Sequence, residues 1–259
     1  MSIDRRTFLG TAGLTALAVA GPAALAKLAS GSQAGAAGAT RWAMVIDLRK
    51  CLKDQGCTDC MAACDKAHNV PQIPTRAHEV KWIWKEPFEG AFPGQTTPFT
   101  EEVFKGQPVL VLCNHCDNQP CVRVCPTKAT WKRPDGITMM DWHRCIGCKY
   151  CIVACPYGAR SFNFFDPRKY IKALNPDFPT RSLGVVEKCN FCEERLAVGK
   201  LPACVEACRE KALVFGNLQD PKSEVRELVR TRFTIRRKPE LGTDPRIYYL
   251  VLGAPDVHD

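Results

Sequence analysis

The stretch Cys145-Ile-Gly-Cys148-Lys-Tyr-Cys151-Ile-Val-Ala-Cys155-Pro156 decides how this chain folds. Three of its thiols are separated by two residues each, and a fourth follows after three residues, directly before a proline. The chain has sixteen cysteines in 259 residues, and the other twelve fall into three further groups of four, so that none is left over. These groups are Cys51, Cys57, Cys60 and Cys64; Cys113, Cys116, Cys121 and Cys125; and Cys189, Cys192, Cys204 and Cys208.

The spacing of this run is the one that holds 4Fe-4S clusters in bacterial two-cluster ferredoxins. There the first three thiolates bind one cluster and the fourth binds the neighbouring cluster, so a single run is half of a pair. Each of the four groups ends in the same Cys-x-x-x-Cys step, and an alanine lies four residues after the last cysteine of three groups, at Ala129, Ala159 and Ala212. This internal repeat predicts four copies of one unit, which consists of a strand, a cysteine loop, a short helix and a second strand. We therefore expect an α+β fold of two ferredoxin-like domains with long loop insertions.

Two other uses of sixteen cysteines are a disulfide framework, which the even count permits, and structural zinc, which also takes four thiolates. Cys-x-x-Cys steps at nearly fixed spacing favour the convergence of four thiolates on one centre over pairwise bridges. The run from Cys145 to Cys155 also packs its thiols more densely than paired zinc knuckles do. Four 4Fe-4S clusters are therefore the leading interpretation, and a non-redox zinc or disulfide module is the remote alternative.

The formal net charge of +9 would ordinarily indicate an anionic partner such as nucleic acid. That sum treats the cysteines as neutral, whereas an oxidised cubane with its four thiolates carries about −2, so that four clusters carry about −8. The protein with its clusters is then near neutral. We expect no nucleic-acid partner, and we expect the lysines and arginines to act as counter-charge that raises the cluster potentials.

Residues 1–26 are predicted to be a targeting segment. The stretch Asp4-Arg5-Arg6-Thr7-Phe8-Leu9-Gly10 has the twin-arginine pattern, and Ala24-Leu25-Ala26 offers a small-residue cleavage site. The apolar part between them is too short, and too broken by Gly21-Pro22, to span a bilayer comfortably. We expect export of the folded protein to the periplasm, with an uncleaved signal that anchors it to the membrane as the alternative. Residues 27–40, rich in Ala, Gly and Ser, are expected to form a linker.

Two insertions separate the cysteine groups. Residues 65–109 contain many prolines and the aromatic stretch Lys81-Trp82-Ile83-Trp84-Lys85. One interpretation is a long loop whose tryptophans fill the core, and the other is a docking surface for a partner subunit. The second insertion, roughly residues 162–184, is rich in phenylalanine and proline. The first cysteine group is itself wider than the others, because Cys51 precedes Cys57 by six positions.

The remaining predictions concern histidines and short elements. No histidine forms a ligand pair with another, and all are expected at the surface or in the core; they are His68, His78, His115, His143 and His258. We expect His115, inside Cys113-Asn-His-Cys116, to tune a nearby cluster electrostatically. We also predict helices over residues 193–198 and 222–229, the second with Pro221 in its first turn, and a strand over residues 247–251.

With all four groups in view, the chain resembles the four-cluster ferredoxin-like electron-transfer subunits of molybdopterin oxidoreductases and of membrane-bound quinone complexes. The resemblance covers residues 42–252 and includes, besides the cysteines, the stretches Leu213-Val214-Phe215-Gly216-Asn217-Leu218 and Asp220-Pro221-Lys222-Ser223-Glu224-Val225. Within this family the chain is most similar to the periplasmic iron-sulfur subunits of the Dsr membrane complexes of sulfur-metabolising prokaryotes (DsrO). That similarity rests on the twin-arginine pattern, the step from Cys51 to Cys57, His68-Asn69-Val70-Pro71 and Lys81-Trp82-Ile83-Trp84-Lys85.

The resemblance implies how the chain is divided and which cysteines share a cluster. Residues 41–112 and 186–219 would form one discontinuous ferredoxin-like domain with the insertion 65–109, residues 113–185 a second domain inserted into it, and residues 220–259 a C-terminal extension. The implied ligand sets are Cys51, Cys57, Cys60 with Cys208; Cys189, Cys192, Cys204 with Cys64; Cys113, Cys116, Cys121 with Cys155; and Cys145, Cys148, Cys151 with Cys125. Lys128 and Lys211 stand where the family often has glycine, which puts the local turn there in doubt.

For function, the resemblance implies electron transfer without catalysis. Irons saturated by cysteine leave no open position for a substrate, so we expect no catalytic residue and electrons that hop one at a time along four clusters. One end would face a polytopic quinone-interacting membrane subunit and the other a periplasmic multihaem cytochrome c, within one hetero-oligomeric complex. The sequence has no haem-attachment motif, so any haem would belong to the partner. The alternative is the electron-transfer (beta) subunit of a periplasmic molybdopterin oxidoreductase.

Overall fold

A computed structural model describes residues 40–99 and 104–251, so that the targeting segment and His258 lie outside the described residues. The strands are β1 (Trp42–Asp47), β2 (Ile83–Pro87), β3 (Pro108–Leu112), β4 (Thr130–Lys132), β5 (Thr138–Met140), β6 (Ser161–Phe162), β7 (Val186–Glu187), β8 (Leu213–Asn217), β9 (Thr234–Ile235) and β10 (Ile247–Leu250). The helices are α1 (Leu48–Cys51), α2 (Asp59–His68), α3 (Phe88–Ala91), α4 (Pro120–Arg123), α5 (Tyr150–Ala154), α6 (Glu193–Leu196), α7 (Ala203–Glu206) and α8 (Glu224–Thr231), with 3₁₀ turns at Leu52–Asp54, Arg76–His78, Pro93–Gln95, Pro167–Tyr170 and Pro239–Leu241. Within the described ranges, no helix combines the length and the apolar character needed to cross a bilayer.

A four-stranded sheet in the order β8-β1-β10-β9 forms the centre of this part of the chain. β1 runs antiparallel to β8 and parallel to β10, so that Val45 lies between Val214 and Tyr248. β1 is apolar and buried on both faces, as expected for a strand inside a covered sheet. Its Met44 and Ile46 point into the main core, which also holds buried cysteines, whereas the opposite face packs against α8. The sheet therefore lies between α8 and the cysteine loops.

Three antiparallel strand pairs, β2 with β3, β4 with β5 and β6 with β7, carry the remaining strands. β2 lies in the insertion 65–109, which is therefore partly a strand and not only a loop. Trp82, just before β2, is fully buried and donates its indole N–H to Glu187 at 3.0 Å. This tryptophan fills the core, as the first of the two interpretations predicts, and Trp84 is half-buried.

Each cysteine group follows a strand and carries a short helix. The groups follow β1, β3, β5 and β7, and the helices within them are α2, α4, α5 and α7. Because β8, after the fourth group, pairs with β1, the first and fourth groups are neighbours in the fold. These observations confirm the mixed α and β content. They also confirm the repeated unit for the second, third and fourth groups, which β4, β6 and β8 follow; the first group has no strand directly after its helix. The described residues fall in one compact unit, and the division into two ferredoxin-like domains stays a prediction.

The C-terminal elements differ in detail from the predicted ones. The helix predicted over residues 222–229 is α8, which begins two residues later, because Asp220 and Pro221 form a turn instead of a first helical turn. Asp220 Oδ1 accepts the Lys222 N–H at 2.9 Å, and Ser223 takes the N-cap position. α6 ends two residues before the predicted residue 198, and β10 ends at Leu250 in the interior of the central sheet.

The turn between β4 and β5 requires glycine at position 136. Gly136 has φ +86°, and a Cβ there would lie 1.7 Å from Nη1 of Arg246. Arg246 is fully buried and held in place by its ion pair with Asp117 and its bond to the Asp135 carbonyl. We expect Gly136→Ala to lower the free energy of unfolding by about 3 kcal/mol or more, because left-handed backbone strain adds to the loss of a buried ion pair. Thermal unfolding followed by circular dichroism measures this loss.

Gly199→Ala is the matched control for that variant. Gly199 also has a positive φ, +73°, but a Cβ there meets nothing within 4 Å. Backbone strain alone predicts a loss of about 1–2 kcal/mol. Equal losses in the two variants would contradict the role assigned to Arg246.

Candidate metal centres

The same local turn holds the last cysteine in three of the four groups. The residues three positions after that cysteine are Lys128, Gly158 and Lys211, with φ of 53°, 63° and 48°. This backbone conformation turns the next amide towards the sulfur, and the Ala212 N–H donates to Cys208 Sγ at 3.2 Å. In the corresponding hydrogen bonds, the backbone N–H of Ala129 donates to the Cys125 sulfur and that of Ala159 donates to the Cys155 sulfur. The turn therefore forms with lysine in the left-handed region, which removes the doubt raised by the missing glycines.

His68 takes the place of the alanine in the first group. It is buried at the end of α2, four residues after Cys64, with Nδ1 3.0 Å from the Cys64 carbonyl oxygen and 3.6 Å from Cys64 Sγ. Its Nε2 lies 3.0 Å from Glu194 Oε1. Burial disfavours the imidazolium, but hydrogen bonds with Cys192 and Glu194 outweigh it and raise the pKa of His68 to about 9. The charged imidazole of His68 thus lies next to the Cys64 sulfur, at the position where the other three groups place only a backbone N–H.

Ligand atoms of His68, Cys192 and Glu194 all lie within 4.8 Å of one another, which is a possible arrangement for a single metal ion. His68 and Glu194 are already paired with each other, however. Cys192 also belongs to a set of four thiols described below. The arrangement is therefore better explained as a hydrogen-bonded support of that set.

His115 occupies a second repeated position, directly before the second cysteine of its group. The residues at this position in the second, third and fourth groups are His115, Gly147 and Phe191, with φ of 41°, 70° and 58°. The rings of His115 and Phe191 stack with centroids 3.7 Å apart, so the loops of the second and fourth groups meet. Burial, followed by the charge of Lys188, lowers the pKa of His115 well below its usual value. The prediction that His115 tunes a nearby cluster electrostatically stays a prediction.

The other described histidines lie away from sulfur. His78 is half-buried and packs against Phe164 and Phe165, with ring centroids 4.8 and 5.1 Å away. His143 is exposed. Both agree with the expectation of surface or core histidines.

Two sets of four cysteines each line a cavity, and each set draws on two groups. Set A lines a small cavity of about 20 Å³ and consists of Cys51, Cys57, Cys60 and Cys208. Set C lines another of about 20 Å³ and consists of Cys113, Cys116, Cys121 and Cys155. The last cysteine of one group thus joins the first three of another.

Set B is recognised from burial and mutual contact. It consists of Cys64, Cys189, Cys192 and Cys204, which are all buried. Burial, followed by the neighbouring charges of Cys189, Cys204 and Cys192, raises the pKa of the Cys64 thiol, which places these four thiols together. The four remaining cysteines, Cys125, Cys145, Cys148 and Cys151, are named set D. Three of them, Cys125, Cys145 and Cys151, pack in one small cluster with Cys121 of set C, whereas Cys148 is exposed and joins the set only through the sequence resemblance.

The crowded thiols form a donor set suited to a metal centre. None of the sixteen cysteines is in a disulfide. Burial, followed by neighbouring thiolates, raises the pKa of Cys60 and of Cys116 to about 12. Such thiols stay protonated at neutral pH unless a bound cation displaces the proton. Four convergent sulfurs therefore fit the donor set of a 4Fe-4S cluster.

The four sets are arranged in the order A, B, C, D. The thiol pairs that interact across the three boundaries are Cys60 and Cys204, Cys113 and Cys189, and Cys121 and Cys151. Set B is enclosed, sets A and C each have one buried and three half-buried thiols, and set D contains the exposed Cys148. The set D end of the line therefore lies at the surface.

The sequence analysis did not predict the buried cations that lie around these sets. Arg181 forms a fully buried ion pair with Glu187 at 2.7 Å, and nothing in its irregular stretch of sequence signals this. Arg160 and Lys188 are also buried. These two carry a signal that could have been used, since Arg160 directly follows the repeated Ala159 and Lys188 directly precedes Cys189.

Comparison with known proteins gives one domain match and close relatives along most of the chain. Residues 108–167 and 174–218 match a 4Fe-4S dicluster domain. The Hdr-like menaquinol oxidoreductase iron-sulfur subunit 1 of Archaeoglobus fulgidus is 43% identical, over 82% of this chain and 84% of the relative. The menaquinone reductase iron-sulfur cluster-binding subunit of Nitratidesulfovibrio vulgaris is 37% identical, over 81% and 88%. A putative dimethyl sulfoxide reductase iron-sulfur subunit of Halobacterium salinarum is 39% identical, over 82% and 79%.

Proposed function

We propose that this chain, which belongs to the family of iron-sulfur electron-transfer subunits of oxidoreductase complexes, carries four 4Fe-4S clusters. In this role it would relay electrons between a quinone-interacting membrane subunit and a periplasmic redox partner. It is a non-catalytic subunit. The observation that carries the proposal is the gathering of twelve cysteines into three sets of four, each drawn from two groups, with three of the remaining four packed together.

The ligands we propose are the members of sets A, B, C and D. Each set then supplies one thiolate for each iron of a cubane. Backbone amides of the repeated turns donate to sulfur, as Ala212 does to Cys208 and Phe191 to Cys189. Such bonds stabilise the thiolate form. The free thiols speak against the disulfide alternative.

When bound, 4Fe-4S clusters supply one-electron transfer at a potential that their surroundings set. The chain's own contribution is to hold the four sets in line and to exclude water from set B. Cys64 and Cys204 of set B are 3% and 4% exposed, whereas Cys148 of set D is open to solvent. Electrons would therefore enter and leave near sets A and D.

The surroundings of Cys148 support a partner at the set D end. Ile146, Tyr150 and Val153 are large apolar side chains in the same loop and helix, and they are 67%, 62% and 86% exposed. Exposed apolar clusters of this kind are typical of contact surfaces. We place one of the two redox partners there.

The partners themselves are proposed from relatives and from sequence motifs. Two relatives are named as subunits of a menaquinol oxidoreductase and a menaquinone reductase, which supports a polytopic quinone-interacting membrane subunit. The similarity to Dsr subunits supports a periplasmic multihaem cytochrome c as the other partner and sulfur metabolism as the context. The twin-arginine pattern supports a periplasmic location for the hetero-oligomeric complex.

A second candidate function is the electron-transfer subunit of a periplasmic molybdopterin oxidoreductase. It is favoured by the relative named as a putative iron-sulfur subunit of a dimethyl sulfoxide reductase. The clusters and their ligands would be the same, but the electrons would pass to or from a catalytic subunit.

Purification of the tagged chain from gently solubilised membranes separates the two candidates. We expect mass spectrometry to identify a polytopic membrane protein and a multihaem cytochrome c at about one copy each per chain. A large molybdopterin-binding subunit in place of the cytochrome would establish the second candidate. A tagged variant with Ile146, Tyr150 and Val153 changed to serine serves as a control, and we expect it to keep its iron but lose one of the two partners.

A further inference from the structure

Five arginine and lysine side chains are almost fully buried, and two of them have no carboxylate partner among the described residues. The three paired ones are Arg181 with Glu187, Arg237 with Glu86 and Arg246 with Asp117. The two others, Arg160 and Lys188, are 5% and 2% exposed. A buried cation is costly unless an anion compensates it. These two side chains therefore need a negative group that the described carboxylates do not supply.

Arg160 lies where sets C and D meet. Its Nη2 donates to Thr130 Oγ1 at 2.8 Å, and its Nη1 lies 3.7 Å from Met140 Sδ. Arg160 also lines the cavity of set C, and its guanidinium interacts electrostatically with the thiols of Cys121, from set C, and Cys151, from set D. The negative groups within reach of Arg160 are therefore the sulfurs of two adjoining sets.

We propose that Arg160 is a fixed counter-charge shared by the clusters of sets C and D and that it raises the reduction potential of both. This inference rests on the ligand sets of the proposed function. Uptake of one electron takes the charge of a thiolate-bound cubane from about −2 to about −3. A positive charge in a dry interior stabilises the more negative form more strongly. Arg160 therefore makes this part of the line a more favourable place for an electron than the thiols alone would.

The identity of the side chain supports this role. A guanidinium keeps its charge at any pH at which the protein is folded, and its planar set of donors can reach several acceptors at once. Lys188 adds positive charge nearby, since its Nζ donates to the Cys189 carbonyl at 2.7 Å and to the Thr138 carbonyl. By contrast, Arg181 is neutralised by Glu187 at 2.7 Å.

The test is a potentiometric titration, followed by electron paramagnetic resonance, of the purified cluster-bearing chain and of Arg160→Met and Arg160→Lys. We expect two of the one-electron transitions in Arg160→Met to move to lower potential. At a fixed potential, the ratio of oxidised to reduced cluster should rise by a factor of at least about ten, which corresponds to a shift of about 59 mV. Arg160→Lys keeps the charge and is expected to stay close to the wild type. The transition that Cys148→Ser removes identifies set D among those that move.

Arg144→Met is the matched control. Arg144 is exposed and pairs with Asp141 at 3.3 Å, so the substitution removes the same unit of charge from solvent-screened surroundings. We expect a change of less than about twofold in the same ratio.

Unchanged transitions in Arg160→Met with full iron content would overturn the proposal. If Arg160→Met loses iron, Arg160→Gln is compared with Arg160→Lys, since both keep a hydrogen-bond donor and differ in charge. Loss of iron from both, or equal potentials in both, overturns it too. A wild-type chain without 4Fe-4S clusters would instead overturn the proposed function, and the role of Arg160 with it.

Discussion

Cys148→Ser is expected to remove about one quarter of the bound iron, because one of four clusters loses a ligand. Cys148 is exposed, so its thiol contributes little to packing. The loss of iron would then report ligation and not a damaged core. Electron transfer through the reconstituted complex is expected to fall severely, because set D is one end of the line. Iron analysis and quinone-linked reduction of the partner measure the two effects.

Val153→Ser is the control for the cysteine variant. Val153 lies on the same helix α5 and is 86% exposed, so its substitution changes the surface without removing a sulfur. We expect the full iron content. Cys148→Ser with full iron content and full activity would show that set D has been assigned wrongly.

Glu187→Gln is expected to have the largest effect on folding, because it leaves the buried charge of Arg181 without a carboxylate, with only its hydrogen bonds to backbone carbonyls such as those of His68 and Asn69. Both side chains are fully buried, and Glu187 also accepts the indole N–H of Trp82. Removing one partner of a buried ion pair costs about 3–5 kcal/mol. For a chain of this size that corresponds to a fall of roughly 10 °C in the thermal midpoint. Circular dichroism of the anaerobically purified protein measures it.

Glu206→Gln provides the comparison for that variant. Glu206 pairs with Arg195, but its side chain is 48% exposed. Exposed pairs of this kind contribute less than about 1 kcal/mol. A Glu187→Gln midpoint no lower than that of Glu206→Gln would mean that Arg181 finds another partner or is not charged.

The parts of this fold that could be predicted from sequence are those governed by local spacing. The steps between cysteines, and the alanines that follow them, predict a loop and a short helix after each strand, and the structure has these units. The burial of Ala129, Ala159 and Ala212, at no more than 2% exposed, follows from the amide that each presents to sulfur. Local chemistry of this kind leaves a pattern in neighbouring residues.

The parts that could not be predicted depend on contacts between distant residues. β10 enters the central sheet parallel to β1, and nothing in either strand specifies a partner so far away in the chain. Strand β2 was not predicted, because the insertion that contains it is rich in proline. The ion pair of Arg181 with Glu187 is close in sequence, but it could not be predicted either, because Arg181 lies in an irregular segment before β7. His68 was the exception, because its alignment with the repeated alanines was visible and its contact with Cys64 could have been inferred.

The central claim is that sixteen cysteines hold four cubane clusters, and the most direct measurement is the iron and acid-labile sulfide content of the anaerobically purified chain, with Mössbauer spectroscopy of the iron. We predict about sixteen iron and about sixteen sulfide ions per chain, with the spectrum of 4Fe-4S clusters in every iron. Four zinc ions per chain, or sixteen cysteines in disulfides without iron, would contradict the account.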